Sequence, residues 1–306
     1  MSDSSQTTEK VGAKVKLNAF AHKLFGSTPG DGEMQPKEGF SYSLCGFGQN
    51  LICTIIGSYL TVFMTDAIGF NALAVAFLML GARIFDALND PIMGSIVDRT
   101  RTKWGKCRPY MKWMALPIAL MTTICFLPWY PKNDGGFAAI SVMYVIWGMV
   151  YTVADVPYWG LSTAMSNDTY RRGNLLTIAR LFCTAGAGIV TVITPIITDN
   201  MTKGLDPAAK GDMLKWIYFV IAIICCVIAL PLFYLGFKNT KERNVTEENP
   251  PSLGHNLKLL FKNKPLMLIV LSGIGGAARM LFTYTGGLYF AKYIMDKESM
   301  YSLFTM

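Results

Sequence analysis

The 306-residue chain alternates between long apolar runs and short polar stretches rich in Lys and Arg. A membrane-spanning helix needs about 20 consecutive, mainly apolar residues. We place seven runs of this kind at Ser41–Met64, Asn71–Val97, Tyr110–Trp129, Phe137–Met165, Asn174–Ile197, Leu214–Phe237 and Pro265–Met295. The pattern therefore predicts an all-α integral membrane protein.

The polar stretches divide the chain into four regions. Residues 1–40 form a polar tail, and residues 41–237 hold the first six spans. A basic linker covers residues 238–264, and residues 265–306 begin a second, incomplete group of spans. Six spans, a linker and further spans are typical of a transporter built from two helical bundles.

Composition supports this class and argues against nucleic-acid binding. Hydrophobic residues make up 52% of the chain and charged residues only 16%, whereas soluble domains carry about 25% charge. The net charge of +8 lies in short patches between apolar runs, which is a topology signal and not a basic binding face. The seven cysteines show no zinc-site spacing and mostly lie within the runs, so we interpret them as small buried apolar residues.

The distribution of basic residues predicts the orientation in the membrane. Nineteen Lys and Arg lie in the N-terminal tail and in the loops that follow even-numbered spans, against six on the other side. Cytoplasmic loops carry the excess of Lys and Arg in membrane proteins. We therefore expect a multi-pass protein of the plasma (inner) membrane with a cytoplasmic N-terminus.

The second run contains two carboxylates at membrane depth. Each costs about 2.5–3.5 kcal/mol to insert. Asp86 and Asp90 are one helical turn apart and share a face, with Asn89 beside them and Arg83 one turn earlier. Na⁺ takes carboxylate and amide oxygens, and the same carboxylates can instead carry a proton. An Arg83–Asp86 ion pair is the structural alternative, but it leaves Asp90 unpaired.

The fourth run carries a second polar group. Thr152, Asp155 and Trp159 lie on one helical face. A carboxylate can accept two hydroxyl hydrogen bonds, and an indole ring can stack on a sugar. Ordinary packing is the alternative for the tryptophan. Arg180 in the fifth run needs an anionic neighbour or a polar cavity, and Asp155 is its most economical partner.

Two further groups of charged residues leave alternatives open. Arg279 in the seventh run either contacts substrate or pairs with an acid beyond residue 306. Gly94, Asp98 and Arg99 end the second run beside a basic loop. The acid there can pair with neighbouring helices, and the basic residues also serve as a topology signal.

Three segments make the sequence similar to a known family. These are RIFDALNDPIMG at residues 83–94, DRTRTKWGKCRP at residues 98–109 and TVADVPYW at residues 152–159. Together with Arg180 and the loop at residues 168–171, they resemble the glycoside–pentoside–hexuronide:cation symporters of the major facilitator superfamily. The resemblance covers the first six spans. It implies that superfamily's N-terminal six-helix bundle, followed by the first helix of the C-terminal bundle.

The resemblance also implies roles for individual residues. The family's cation site matches Asp86, Asn89, Asp90 and Thr152, and its sugar-binding residues match Asp155, Trp159 and Arg180. Gln49 and Asn50 stand where the melibiose carrier of this family has a lysine and a sugar-binding aspartate. Gly94, Asp98 and Arg99 match the superfamily's cytoplasmic loop motif. Arg83, at the start of the first of these segments, is grouped with them as a structural or gating residue.

The expected activity is cation-coupled symport of a sugar, glycoside or uronide by alternating access. The amide at Asn50 removes a negative charge and, with Arg279, favours a more anionic substrate such as a uronide. The coupling ion is Na⁺ in preference to H⁺, with no other cofactor. The expected partners are the sugar, a monovalent cation and the lipid bilayer, but no nucleic acid.

Other functions are weighed against symport. A superfamily transporter of a lysolipid or other amphiphile is one alternative. A transport-incompetent fragment is another, because the family has twelve spans. A membrane prenyltransferase needs a second Asp-rich motif, which is absent before residue 306, so we do not expect an enzyme.

Overall fold

The computed structural model describes residues 16, 18–27, 33–244, 254, 261–296 and 300–301, and for residues 277–281, 284 and 285 it describes the backbone alone. These residues form helices and no strand, which confirms the all-α fold class. The helices are α1 (Pro36–Ile68), α2 (Ala72–Arg99), α3 (Arg108–Cys125), α4 (Asp134–Met165), α5 (Thr169–Thr202), α6 (Pro207–Asn239), α7 (Lys264–Leu281) and α8 (Gly287–Tyr293). A π-helical turn, Phe282–Gly286, joins α7 to α8.

Within the part of the chain that the structure describes, five helices are long and apolar enough to cross a membrane, namely α1, α2, α4, α5 and α6. The other two predicted spans differ from these. Helix α3 has 18 residues, begins at Arg108 and ends at Cys125, so it is shorter and more basic than expected. The seventh run is interrupted by the π-helical turn that follows α7 at Phe282–Gly286, and the stretch Lys264–Gly276 within α7 is apolar but too short to count as a span.

Polar side chains at the loop ends begin three of the long helices. The side chain of Asn71 accepts hydrogen bonds from two backbone N–H groups at the start of α2. Asn133 caps α4 and Asp168 caps α5 in the same way. These caps satisfy N–H groups that have no partner within a helix. The caps therefore fix the residues at which these three helices begin.

Helix α1 lies at the centre of the six-helix part and packs against α5 and α6. Helix α6 also packs against α3, α3 against α4, and α4 against α2. Gly186 permits the close approach of α5 to α1, because a Cβ atom there would lie 2.6 Å from the carbonyl oxygen of Phe47. The packing therefore brings the polar residues of α1 and α4 toward each other and places α2 beside α4.

Two π-helical segments lie within α1, at Ile55–Tyr59 and Phe63–Ile68. The helix ends at Gly69, whose φ of 87° is in the left-handed region that favours glycine. Such segments often occur at functional sites. Both lie beyond Gln49 and Asn50, in the half of α1 farther from the N-terminal tail.

Candidate substrate and cation site

The carboxylate of Asp155 is the centre of the polar site. Gln49 Nε2 on α1 donates a hydrogen bond to Asp155 Oδ1 over 2.5 Å. The indole Nε1 of Trp159, one turn along α4, donates to the same oxygen over 3.1 Å. Both bonds end on Oδ1, so Oδ2 is left for a further donor. Two helices thus hold the carboxylate in a fixed orientation.

Gln49 is almost fully buried, with 1% of its surface exposed. Its Nε2 also donates to the hydroxyl of Tyr151 over 3.3 Å, and the Tyr151 ring stacks on Trp147. The other amide atom, Oε1, is buried and has no hydrogen-bond partner among the described residues. A buried acceptor without a donor is costly, so this atom is suited to a hydroxyl of a bound ligand.

Tyr151 is a site residue that the sequence analysis missed. It precedes Asp155 by one helical turn and therefore shares its face of α4. That spacing was the signal that would have identified it. In the structure, its hydroxyl lies beside the amide of Gln49.

Arg180 lies over Trp159 and not against an oxygen of Asp155. Its guanidinium carbon is 4.1 Å from the centroid of the indole ring, a cation–π contact. Its charge is still close enough to interact with the Asp155 carboxylate. The contact links α5 to α4 and covers one face of Trp159 near the carboxylate.

Asn50 does not join this hydrogen-bond network. Its Nδ2 donates to the carbonyl oxygen of Gly46 in its own helix, over 3.0 Å. The side chain is half-buried. The amide nitrogen of Asn50 therefore binds the backbone of α1 and not Asp155.

The polar residues of α2 face α4. Asp86 Oδ1 lies 3.0 Å from the position of a Cβ atom at Gly148, and Asp86 Oδ2 is 3.7 Å from Arg83. Asn89 Nδ2 is buried without a hydrogen-bond partner among the described residues. Asp90 is exposed. Its negative charge nevertheless acts electrostatically on the carboxylate of Asp155 in α4.

Thr152 is buried in α4, between Gly148 and Asp155. Within the described ranges, no three side chains of His, Cys, Asp or Glu form a group that could hold a metal ion. A cation at this place would therefore depend on two carboxylates together with neutral oxygens. The side chains of Asn89 and Thr152 contain such neutral oxygens.

A second polar cluster lies at the end of α2 near the basic loop. Asp98 pairs with Lys106 over 3.3 Å, whereas Arg99 is exposed. Gly94 faces open space. An open cavity of about 530 Å³ lies in this loop, between Trp104 and Glu242, away from Asp155.

Glu242, just after α6, was not singled out by the sequence analysis. Its carboxylate accepts hydrogen bonds from the backbone N–H groups of Lys106, Cys107 and Arg108, each over 2.8 Å. Burial and the Glu242 charge raise the pKa of the Cys107 thiol to about 12. The only signal in the sequence was an acid among basic residues at the end of an apolar run.

The side chain of Arg279 lies outside the described residues.

Comparisons with known proteins agree with the all-α membrane fold. A family model described as MFS/sugar transport protein matches residues 41–306. The isoprimeverose transporter of Lactiplantibacillus pentosus is 32% identical over 273 residues, which are 87% of this chain and 54% of that protein.

Two relatives in Escherichia coli (strain K12) match in the same way. A putative glycoside/cation symporter is 29% identical over 81% of this chain and 52% of its own length. A glucuronide carrier protein homolog is 24% identical over 87% of this chain and 56% of its own length. The chain spans about half the length of the curated relatives it matches.

These relatives are transporters, which excludes an enzyme and confirms a multi-pass membrane protein of the transport class. The match to the family model covers most of the chain. It includes the motifs around Asp86 and Asp155. The chain belongs to the MFS/sugar transport protein family and, within it, to the glycoside–pentoside–hexuronide:cation symporters.

Proposed function

We propose that this chain carries the sugar- and cation-binding half of a symporter that works by alternating access. The observation that carries the proposal is the network around Asp155. It brings together a carboxylate, an amide with an unpaired oxygen and an indole covered by a guanidinium. These groups come from three helices. Together they provide donors and acceptors for hydroxyls beside an aromatic face, which is what a sugar requires.

In the proposed complex, a sugar hydroxyl donates to Asp155 Oδ2 and another donates to Gln49 Oε1. Arg180 supplies donors for a ring oxygen or a carboxylate of the substrate. A neutral glycoside and a uronide both satisfy this chemistry. The relatives named for isoprimeverose and for a glucuronide represent these two classes.

We assign the coupling cation to Asp86, Asn89, Asp90 and Thr152, and we favour Na⁺ over H⁺. Na⁺ prefers several oxygen ligands, and Asn89 has no hydrogen bond at Nδ2 that would prevent its amide from turning. Because Asp90 and Asp155 repel each other, a cation beside Asp90 lowers that repulsion. Cation binding then stabilises the state in which Asp155 binds sugar.

Such coupling is reciprocal, so each ligand tightens the binding of the other by the same factor. The test is equilibrium binding of radiolabelled isoprimeverose, a phenyl glucuronide and lactose to the purified chain, with Na⁺ or with choline. We expect at least one sugar to bind, and to bind about tenfold more tightly in Na⁺. Indifference to Na⁺ together with a strong response to pH would reassign the coupling ion to H⁺.

The matched variants are Asp155→Asn and Asp212→Asn. The first keeps the shape of the site but removes the charge that accepts hydroxyl hydrogen bonds. The second breaks an exposed ion pair with Lys215 far from the site. Binding lost in the first variant and kept in the second supports the proposal. Binding of a lysolipid but of no sugar contradicts it.

A further inference from the structure

An ion pair joins the six-helix part of the molecule to the start of the second group. Asp66, in the last π-helical turn of α1, pairs with Lys292 of α8. Both side chains are nearly buried, with 10% and 12% of their surfaces exposed. Exposed pairs such as Lys106–Asp98 and Lys215–Asp212 have at least one partner half-exposed or more. The Asp66–Lys292 pair is therefore shielded from water where two bundles meet.

Hydrogen bonds surround this pair. Asp66 Oδ1 accepts from the hydroxyl of Tyr293 over 3.0 Å and from Thr65 over 2.6 Å. The Thr65 hydroxyl also lies 3.0 Å from that of Tyr289, and the rings of Tyr289 and Tyr293 are stacked. Each turn of α8 thus contributes a group that binds the end of α1.

Among the described residues, the contact between the two parts lies in the second half of α1. From Phe261 to Gly276, nearly every described side chain is exposed, so the first part of α7 stands free of the six-helix part. In α8, by contrast, Leu288 and Ala291 are buried. The two parts therefore meet at the end of α1 and separate toward the basic loops.

We propose that Asp66 and Lys292 form a reversible latch that closes the end of the transporter opposite the basic loops. A buried ion pair contributes little net stability, because the loss of hydration offsets the attraction between the charges. When the ends separate, water hydrates both groups again. The closed and open states are thus close in free energy, which a conformational cycle requires. The inference rests on the proposed transport cycle, but its test requires no sugar.

Gly57 provides a reporter site for opening. It lies nine residues before Asp66, about 13 Å along the helix, in the π-helical segment that contacts the turn at Phe282–Gly286. A Cβ atom at this position would meet no atom within 4 Å. A cysteine introduced there is therefore tolerated, and its access from the latched end depends on whether the latch is closed.

The experiment measures the labelling rate of Gly57→Cys by a membrane-impermeant maleimide added to intact cells. The unmodified chain gives the background from the native cysteines. We expect Asp66→Asn and Lys292→Met each to raise the rate about tenfold, because each leaves a buried charge without its partner. The double variant removes both charges and should return the rate to within about twofold of the starting value.

Asp212→Asn is the control, because it breaks an exposed pair at the same end of the molecule but changes neither Asp66 nor Lys292. Mass spectrometry of Cys45 and Cys225, which are buried, separates opening from unfolding. Equal labelling in all variants overturns the latch. A double variant that labels as fast as the single ones, or labelling that spreads to the buried cysteines, also overturns it. Loss of sugar binding with the expected labelling pattern would contradict the proposed function alone.

Discussion

The unpaired oxygen of Gln49 lowers the stability of the folded protein but provides an acceptor for a bound ligand. A buried acceptor without a donor costs about 1–3 kcal/mol, and Gln49 Oε1 is such an acceptor. The neighbouring Nε2 is fully used by Asp155 and Tyr151. These two bonds account for Nε2, but packing does not account for Oε1, which has no partner among the described residues and is explained better by a ligand.

Gln49→Met tests this reasoning at one residue. The substitution keeps the volume but removes both amide groups, so it ends the unsatisfied acceptor and one proposed bond to the sugar. We expect the sugar Kd to rise about tenfold, the equivalent of about 1.4 kcal/mol, and the melting temperature to fall, because Asp155 and Tyr151 lose the Nε2 donor. Titration calorimetry and thermal unfolding measure the two effects. Gln35→Met, outside the site, is the control, and an unchanged Kd contradicts the assignment.

Cys107 offers a test of the polar cluster at the basic end. Burial and the nearby Glu242 carboxylate raise the pKa of its thiol to about 12. Because only the thiolate is nucleophilic, the group should resist iodoacetamide at pH 8 and react faster as the pH approaches the pKa. Peptide mapping of native and urea-unfolded protein measures the difference. Rapid alkylation of native Cys107 at pH 8 would contradict this prediction.

At the scale of elements, the three bonds from Glu242 fix the start of α3. Three successive N–H groups donate to one carboxylate, and the positive end of the helix dipole adds to the attraction. Arg108 meanwhile donates to the carbonyl oxygen of Phe237 near the end of α6. The segment after α6 and the loop before α3 therefore hold each other in place.

Glu242→Ala should destabilise the protein by about 2–4 kcal/mol, because it leaves partly buried N–H groups without an acceptor. Asp98→Ala, in the last turn of α2, removes the exposed pair with Lys106 and should cost about 0–1 kcal/mol. Thermal unfolding in detergent, followed by circular dichroism, compares the two variants. Similar melting temperatures for both would show that Glu242 does not hold α3.

The apolar pattern predicted where the long helices are, but not how they depart from regular geometry. Five runs became long apolar helices, because length and hydropathy are sufficient for a span. The π-helical segments of α1 and the turn at Phe282–Gly286 carry the same apolar composition as their surroundings. Only packing against neighbours reveals them, and a single sequence contains no record of that packing.

At the scale of the whole molecule, the same distinction separates what was predicted in the site from what was missed. The sequence identified the carboxylates of Asp86, Asp90 and Asp155 because a charge within an apolar run is energetically costly. The bond from Gln49 to Asp155 joins residues 106 positions apart, and the Asp66–Lys292 pair joins α1 to α8. Tertiary packing creates both contacts. Asp66 stands at the end of its run, where an acid is not unusual.

The two ends of the molecule differ in charge, and this difference determines the orientation we expect in the membrane. Lys103 lies in the basic loop after α2, and Lys203 ends α5 at the opposite end; both are exposed. With the N-terminus in the cytoplasm, an impermeant maleimide should label Lys203→Cys in intact cells but label Lys103→Cys only after permeabilisation. The two variants change the same residue type, so each is the other's control. The reverse pattern would place the latch between α1 and α8 in the cytoplasm, and the open side of the molecule would then face outward.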